Sequence, residues 1–112
     1  MLLRIWRTGV DPARWPEYEH FEQEYSLPMF RQQPGCRGVL FVRAGDGKGA
    51  AACSFWDDQQ IGRLRNSPTS QGTVARLVAT GLLTGEQSVE VYQVAGGGLD
   101  TLPGVRLFKA RS

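Results

Sequence analysis

The sequence is short of most residues that announce chemistry. It has a single histidine, His20, and two cysteines, Cys36 and Cys53. It contains no C-x-x-C and no Cys/His cluster, so no structural zinc site is expected and no metal is assigned. If the cysteines lie on strands paired around a turn near Gly47, they are out of register, and two reduced thiols are the simpler expectation. Lysine is scarce: arginine outnumbers it eleven to two. Arginine suits carboxylate and phosphate recognition, but a codon bias produces the same ratio. The formal charge of +2 is too small to imply nucleic acid or an anionic membrane as a partner. No apolar run approaches membrane-spanning length. The opening "MLLRIWRTG" carries arginines inside its apolar stretch, which argues against a signal peptide. A cytoplasmic protein with neither membrane nor nucleic-acid partner is the expectation.

What is present is an ordinary small globule of 112 residues, 41% hydrophobic and 21% charged. A chain of this length fits one domain with a thin core, so sharing a face with a second copy would help it. "LLRIWRT" (2–8) reads as a strand closed by Gly9, with Leu3, Ile5 and Arg7 on one side and Arg4, Trp6 and Thr8 on the other. Asp11-Pro12 then gives a helix start, a side-chain cap before a residue with pre-set φ. One loose turn is expected at 12–15 and regular helix from about Pro16 to Ser26. Trp15, Tyr18, Phe21 and Tyr25 fall within an arc of about 120° at 100° per residue. Such a stripe either covers a sheet or walls a pocket. Pro28 is expected to break or kink the helix near Leu27.

Pro34-Gly35 turns the chain. "CRGVLFVRA" (36–44) and "AAACSFWD" (50–57) read as a hairpin around "GDGKG". Asp57 with Gln60 suggests a cap for a helix in which Ile61 and Leu64 face inward. Ser67-Pro68 restarts that helix, and Val74, Leu77, Val78 and Gly81 keep helical spacing. "LLTGEQ" reads as a turn. "QSVEVYQVA" (87–95) is the fourth strand, with Val89 and Val91 inward and Glu90 and Tyr92 opposite.

The order β-α-β-β-α-β is an α+β, ferredoxin-like layout. Two helices cover one face of the sheet. The other face, with Trp6 and Tyr92 as expected occupants, must meet something else. The domain spans 1–95. Residues 96–112 form a tail whose "GVRLFKAR" alternates like an extra C-terminal strand, a disordered tail being the alternative.

Several strings, "LLRIWRTGVDP" with "EYEHF", "QQPGCRGVLFV", "SFWDDQQIGRLRNSP" and "SVEVYQV", together resemble the antibiotic biosynthesis monooxygenase-like family of the dimeric α/β-barrel superfamily. The most specific is the third: a strand ending in tryptophan, acidic residues leading into a helix, then a Ser-Pro break. The resemblance implies a homodimer packed through its sheet faces, with a pocket in each subunit between sheet and helices. It also implies oxygenation of phenols or quinols without a cofactor. Trp56 would then wall a pocket for a flat aromatic ligand with its N–H free, or plug the strand–helix corner. Tyr18, Phe21, Tyr25, Leu64, Val74 and Leu77 are the other candidate lining residues. Arg7 is a candidate partner for a phenolate if its side of the strand faces the helices. Arg76 is placed near the pocket mouth. His20 is expected in solvent, and Glu19 and Glu22 in helix-surface salt bridges.

A haem-degrading branch shares the fold and uses an asparagine on the first strand, a tryptophan at position 56 and a histidine on the second helix. Only the tryptophan is here, so no haem is expected. "RGVLFVRA" echoes an RNA-recognition strand but lies on the second strand and lacks the stacking aromatic. A dimeric module that binds a small ligand and catalyses nothing remains the alternative to an enzyme.

Overall fold

The computed structural model describes residues 1–57 and 67–108. Four strands, β1 (Leu2–Val10), β2 (Cys36–Arg43), β3 (Gly49–Trp56) and β4 (Leu83–Gln93), form one antiparallel sheet in the order β2-β3-β1-β4. This is the ferredoxin-like arrangement. Helices α1 (Trp15–Phe21), α2 (Leu27–Gln32) and α3 (Pro68–Ala79) belong to the layer on one face. The expected helix start at Asp58, with Ile61 and Leu64, lies outside the described residues.

Alternation along the strands sorts the two faces. On β3, Ala50, Ala52, Ser54 and Trp56 are buried beneath the helices, while Ala51, Cys53 and Phe55 point the other way and are only half-buried. The register carries this across the sheet. Arg4 and Trp6 stand opposite Ser54 and Ala52, so they face the helices. Leu3, Ile5 and Arg7 stand opposite Phe55, Cys53 and Ala51, on the open face, with Leu40, Val42 and Tyr92. Trp6 is therefore on the helical side, contrary to expectation, whereas Tyr92 is on the open one. Cys36 stands opposite Trp56 and Cys53 opposite Leu40; neither is in a disulfide.

Two clusters make the core. Val10, Trp15, Tyr18, Phe21, Ala50, Leu77 and Leu82 form one; Met29, Phe30, Cys36, Ala52 and Trp56 form the other. Trp6 packs against both and joins them.

The first helical segment differs from the regular helix expected. Asp11 caps a short 3-10 turn at Pro12–Arg14 through the Ala13 N–H. Between α1 and α2 lies a π-helical turn, Glu22–Ser26, in which the Leu27 N–H reaches back to the Glu22 carbonyl. The chain then continues into α2 despite Pro28. A proline ring presses on the carbonyl four residues earlier in a regular helix, and the wider π turn is where this helix absorbs it. The extra residue in that turn resets the face. Tyr25, which a regular helix would keep near Tyr18, swings out and is 41% exposed. Ser26 takes its place in line below Tyr18 and Glu22.

Two further differences are local. "LLTGEQ" is not a turn: β4 begins at Leu83, and a register shift between Arg7 and Gly9, with Gly85 at φ +67°, absorbs the irregularity. Gly9 continues β1 instead of closing it, and glycine is required there because a Cβ would collide with the backbone and side chain of Thr84. Val89 and Val91 share the helical face yet stay half-exposed, since β4 is an edge strand.

The described tail, through Phe108, contains no strand; the rest of the segment for which an extra strand is one of two expectations lies outside the described residues. The tail backbone instead turns at Leu102–Val105 and runs to Leu107, whose carbonyl accepts from Arg31, while Phe108 packs on the second cluster. No helix among the described residues is long and apolar enough to cross a membrane.

Candidate functional site

The sheet contributes the floor of a cavity, with Arg4 and Trp6 from β1, Phe41 from β2 and Ala52 from β3. The small Ala52 leaves room that a larger residue would fill. The first helical segment adds Tyr18, Glu22, Ser26, Met29 and Phe30, and α3 adds Ser70, Thr73, Val74 and Leu77. The spacing of Tyr18, Glu22, Ser26 and Phe30 is four residues each time. A regular helix would drift about 40° per step and turn Phe30 well away from Tyr18. The π turn counters that drift and keeps all four on one wall.

The cavity measures about 70 Å³. That holds a few water molecules, and is about half the roughly 150 Å³ known to accept a benzene-sized guest. Met29, an unbranched side chain that repacks readily, is the wall best able to yield.

Its chemistry is concentrated at two side chains. Glu22 is 8% exposed and Tyr18 2% exposed. Neither the Glu22 carboxylate nor the Tyr18 hydroxyl has a hydrogen-bond partner among the described residues. Buried polar groups are nearly always satisfied, and a native exception calls for an explanation. Burial, followed by the charge of Glu19, pushes the Glu22 carboxyl up to about 8, against a downward pull from Arg43. Burial, and then the Glu22 charge, likewise raises the Tyr18 hydroxyl above the ordinary phenol range. A carboxyl poised near neutrality beside a neutral hydroxyl is a proton acceptor next to a donor.

The residues singled out from sequence divide clearly. Tyr18, Val74 and Leu77 meet in the cavity. Phe21 is buried in the first core cluster, behind the wall. Tyr25 lies outside, tilted against Phe21 at 4.9 Å, with the Arg76 guanidinium 4.6 Å from its ring centroid. Arg76 therefore clamps an outer aromatic and does not line the cavity. Leu64 lies outside the described residues.

Arg7 is on the open face, paired with Glu90, and does not reach the cavity. Trp56 is 0% exposed, and its indole N–H donates to the Ser54 hydroxyl at 2.7 Å. It fills the corner against Phe30, with the ring centroids 6.4 Å apart. Its N–H is not free, and it is not among the lining residues. His20 is exposed. Glu19 does form a surface pair, with Arg43, but Glu22 does not: it is the buried one. Its signal was available, four residues after Tyr18 on the same helix face. Arg4 and Trp6 are not legible as lining residues from the sequence, because alternation leaves open which side of β1 faces the helices and Trp6 is expected on the open one.

A larger, open cleft of about 1010 Å³ separates the tail from the β2 edge. Its charged residues, Arg31, Arg37, Asp100 and Arg106, are all exposed. None of its described lining residues is buried, so the smaller cavity is the better candidate. Among the described residues, no three His, Cys, Asp or Glu side chains converge as a metal site.

No protein-family model matches the chain, and no curated protein does. Solved structures do. Rv0793 from Mycobacterium tuberculosis is 19% identical, with a TM-score of 0.68 over 88% of this chain and 98% of that one. SnoaB, a cofactor-independent oxygenase from Streptomyces nogalater, is 23% identical, with a TM-score of 0.66 over 91% and 96%. The monooxygenase from the gene ActVA-Orf6 of Streptomyces coelicolor, solved with Nanaomycin D, is 17% identical, with a TM-score of 0.67 over 89% and 92%. The chain thus has the fold of the antibiotic biosynthesis monooxygenases, as the sequence resemblance implied.

Proposed function

We propose that this chain is a cofactor-independent oxygenase for a small, electron-rich phenol or quinol, with Glu22 as its base. The observation that carries this reading is the buried Glu22 carboxylate, without a hydrogen-bond partner among the described residues, in a cavity walled by Trp6, Phe30 and Phe41. Glu22 takes the phenolic proton. The Tyr18 hydroxyl donates to the oxygen that bears the resulting charge. The phenolate is itself the reductant: it passes one electron to dioxygen, and the two radicals join, forming a ring carbon–oxygen bond as a peroxide. The oxygen–oxygen bond then breaks as the ring carbon gives up its hydrogen as a proton to the departing outer oxygen, the carbon–hydrogen electron pair forming the carbonyl and the oxygen–oxygen pair leaving with that oxygen. One oxygen stays as a carbonyl. The other leaves as hydroxide and takes the proton held by Glu22, forming water. Phenol and dioxygen thus become quinone and water. The aromatic walls keep water from the charged intermediate.

The second element of the proposal is a homodimer through the open face of the sheet. Leu3, Ile5, Leu40, Val42, Cys53, Phe55 and Tyr92 make that face apolar, and a second copy offers the same surface in return. Sedimentation at micromolar concentration is expected to give a single dimeric species; a stable monomer would refute it.

The test of function is oxygen uptake with a panel of phenols and quinols. Uptake that falls about 100-fold in Glu22→Gln, with an unfolding temperature in that variant no lower than that of wild type, supports the reading. Ligands that raise the melting temperature without oxygen uptake would replace the enzyme with a binding module.

A further inference from the structure

Glu19 and Glu22 are three residues apart on one helical segment, which makes their carboxylates neighbours. They have opposite fates. Glu22 turns into the cavity, while Glu19 turns to solvent and pairs with Arg43 of β2. Arg43 is held on a second side too: its guanidinium carbon lies 4.2 Å from the Trp15 ring centroid. Trp15 is anchored in turn, its indole N–H donating to the Gly47 carbonyl at 2.7 Å in the β2–β3 hairpin. Hairpin, helix start and cation are one connected set, and it ends beside the buried carboxylate.

The Arg43–Glu19 pair is about half exposed on both sides, so it adds little to stability. Its consequence is electrostatic. A bare Glu19 would make Glu22 hold its proton more tightly, whereas Arg43 opposes both carboxylates, in keeping with the directions in which the two residues act on Glu22. Among the described residues, the other groups facing Glu22 are Tyr18 on its own helix, Arg4 and Trp6 from β1, Phe41 and Ala52 from β2 and β3, and Ser70 and Thr73 from α3. Of these only Arg4 carries a fixed charge, and it stands on a different strand from Arg43.

We infer that Arg43 is a positioning residue for the proposed base: paired with Glu19 and stacked on Trp15, it neutralises the negative charge that stands next to the Glu22 carboxyl. The consequence for turnover rests on the oxygenase reading. The effect on the Glu22 proton does not.

The test is a carbon-13 NMR titration of protein labelled at the glutamate carboxyl carbons, with the Glu22 signal assigned from its absence in Glu22→Gln. Arg43→Met is expected to move the Glu22 midpoint up by about half a pH unit or more, and Glu19→Gln to move it down by a similar amount. Arg43→Lys keeps the charge and is expected to stay near wild type. A midpoint unmoved by both neutral variants, or moved by both in one direction, would overturn the inference. Should Arg43→Met fail to fold, the downward shift in Glu19→Gln decides alone. Opposite shifts in a protein that consumes no oxygen would uphold this inference and sink the oxygenase reading.

Discussion

The indole N–H of Trp56 donates to the Ser54 hydroxyl, 2.7 Å away and two residues back on the same face of β3. Ser54 in turn donates to the Arg4 carbonyl at 3.4 Å on the neighbouring strand. Both residues are fully buried. We expect Ser54→Ala to destabilise the protein by about 1–3 kcal/mol, because the indole N–H loses its partner where water cannot replace it. Trp56→Phe removes that N–H, so adding Ser54→Ala to it should do less harm than Ser54→Ala alone. Urea unfolding of the four proteins checks this. Because Trp56 does not line the cavity, KM for a phenol should be nearly unchanged in Trp56→Phe. A large rise in KM would restore it as a pocket wall.

Glu22 makes stability depend on pH in a definite direction. Its carboxyl binds a proton more tightly in the folded protein, at about 8, than its ordinary value of 4.5. The contribution is therefore fully present below about 4.5. It is lost as pH rises through 8 and then levels off. Glu22→Gln, which cannot ionise, should lose this slope and exceed wild type by a few kcal/mol at pH 9. Denaturant midpoints measured from pH 5 to 9 test it. Parallel curves for the two proteins would place the carboxylate in water.

The fold was far more legible in the sequence than the site. Turn signals at Pro34-Gly35 and "GDGKG", the Ser67 cap and the aromatic helix stripe all act locally, and they led to the correct element order. The site failed at two points with physical causes. β1 is apolar on both sides, Leu3 and Ile5 on one and Trp6 on the other, so a period of two cannot say which side the helices cover. That ambiguity made Arg7 a conditional candidate for the pocket and left out Arg4. The π turn is the second cause. Periodicity assumes 100° per residue and carries Tyr25 inward, whereas one extra residue sends Tyr25 out and Ser26 in. Pro28 is the visible hint in the sequence, and it marks a widened turn rather than a break.

The size of the cavity sets a preference among substrates. At about 70 Å³, it must expand roughly twofold for one aromatic ring, and a fused tricycle requires far more. Single-ring phenols and hydroquinones should therefore show higher kcat/KM than anthrone-like tricycles. Met29→Ala, which enlarges the wall, should narrow the gap. Competition between the two substrate classes measures it directly; a wild-type preference for the tricycle would contradict the volume argument.

The role of Glu22 as base is probed without intermediaries by the pH dependence of kcat/KM for phenol-driven oxygen uptake, in wild type and in Glu22→Gln. The wild-type rate should climb with pH to a half-maximum near 8, the range to which burial pushes this carboxyl. Glu22→Gln should keep only a residual rate without that limb. An unchanged rate and profile in Glu22→Gln would show that the proton goes elsewhere.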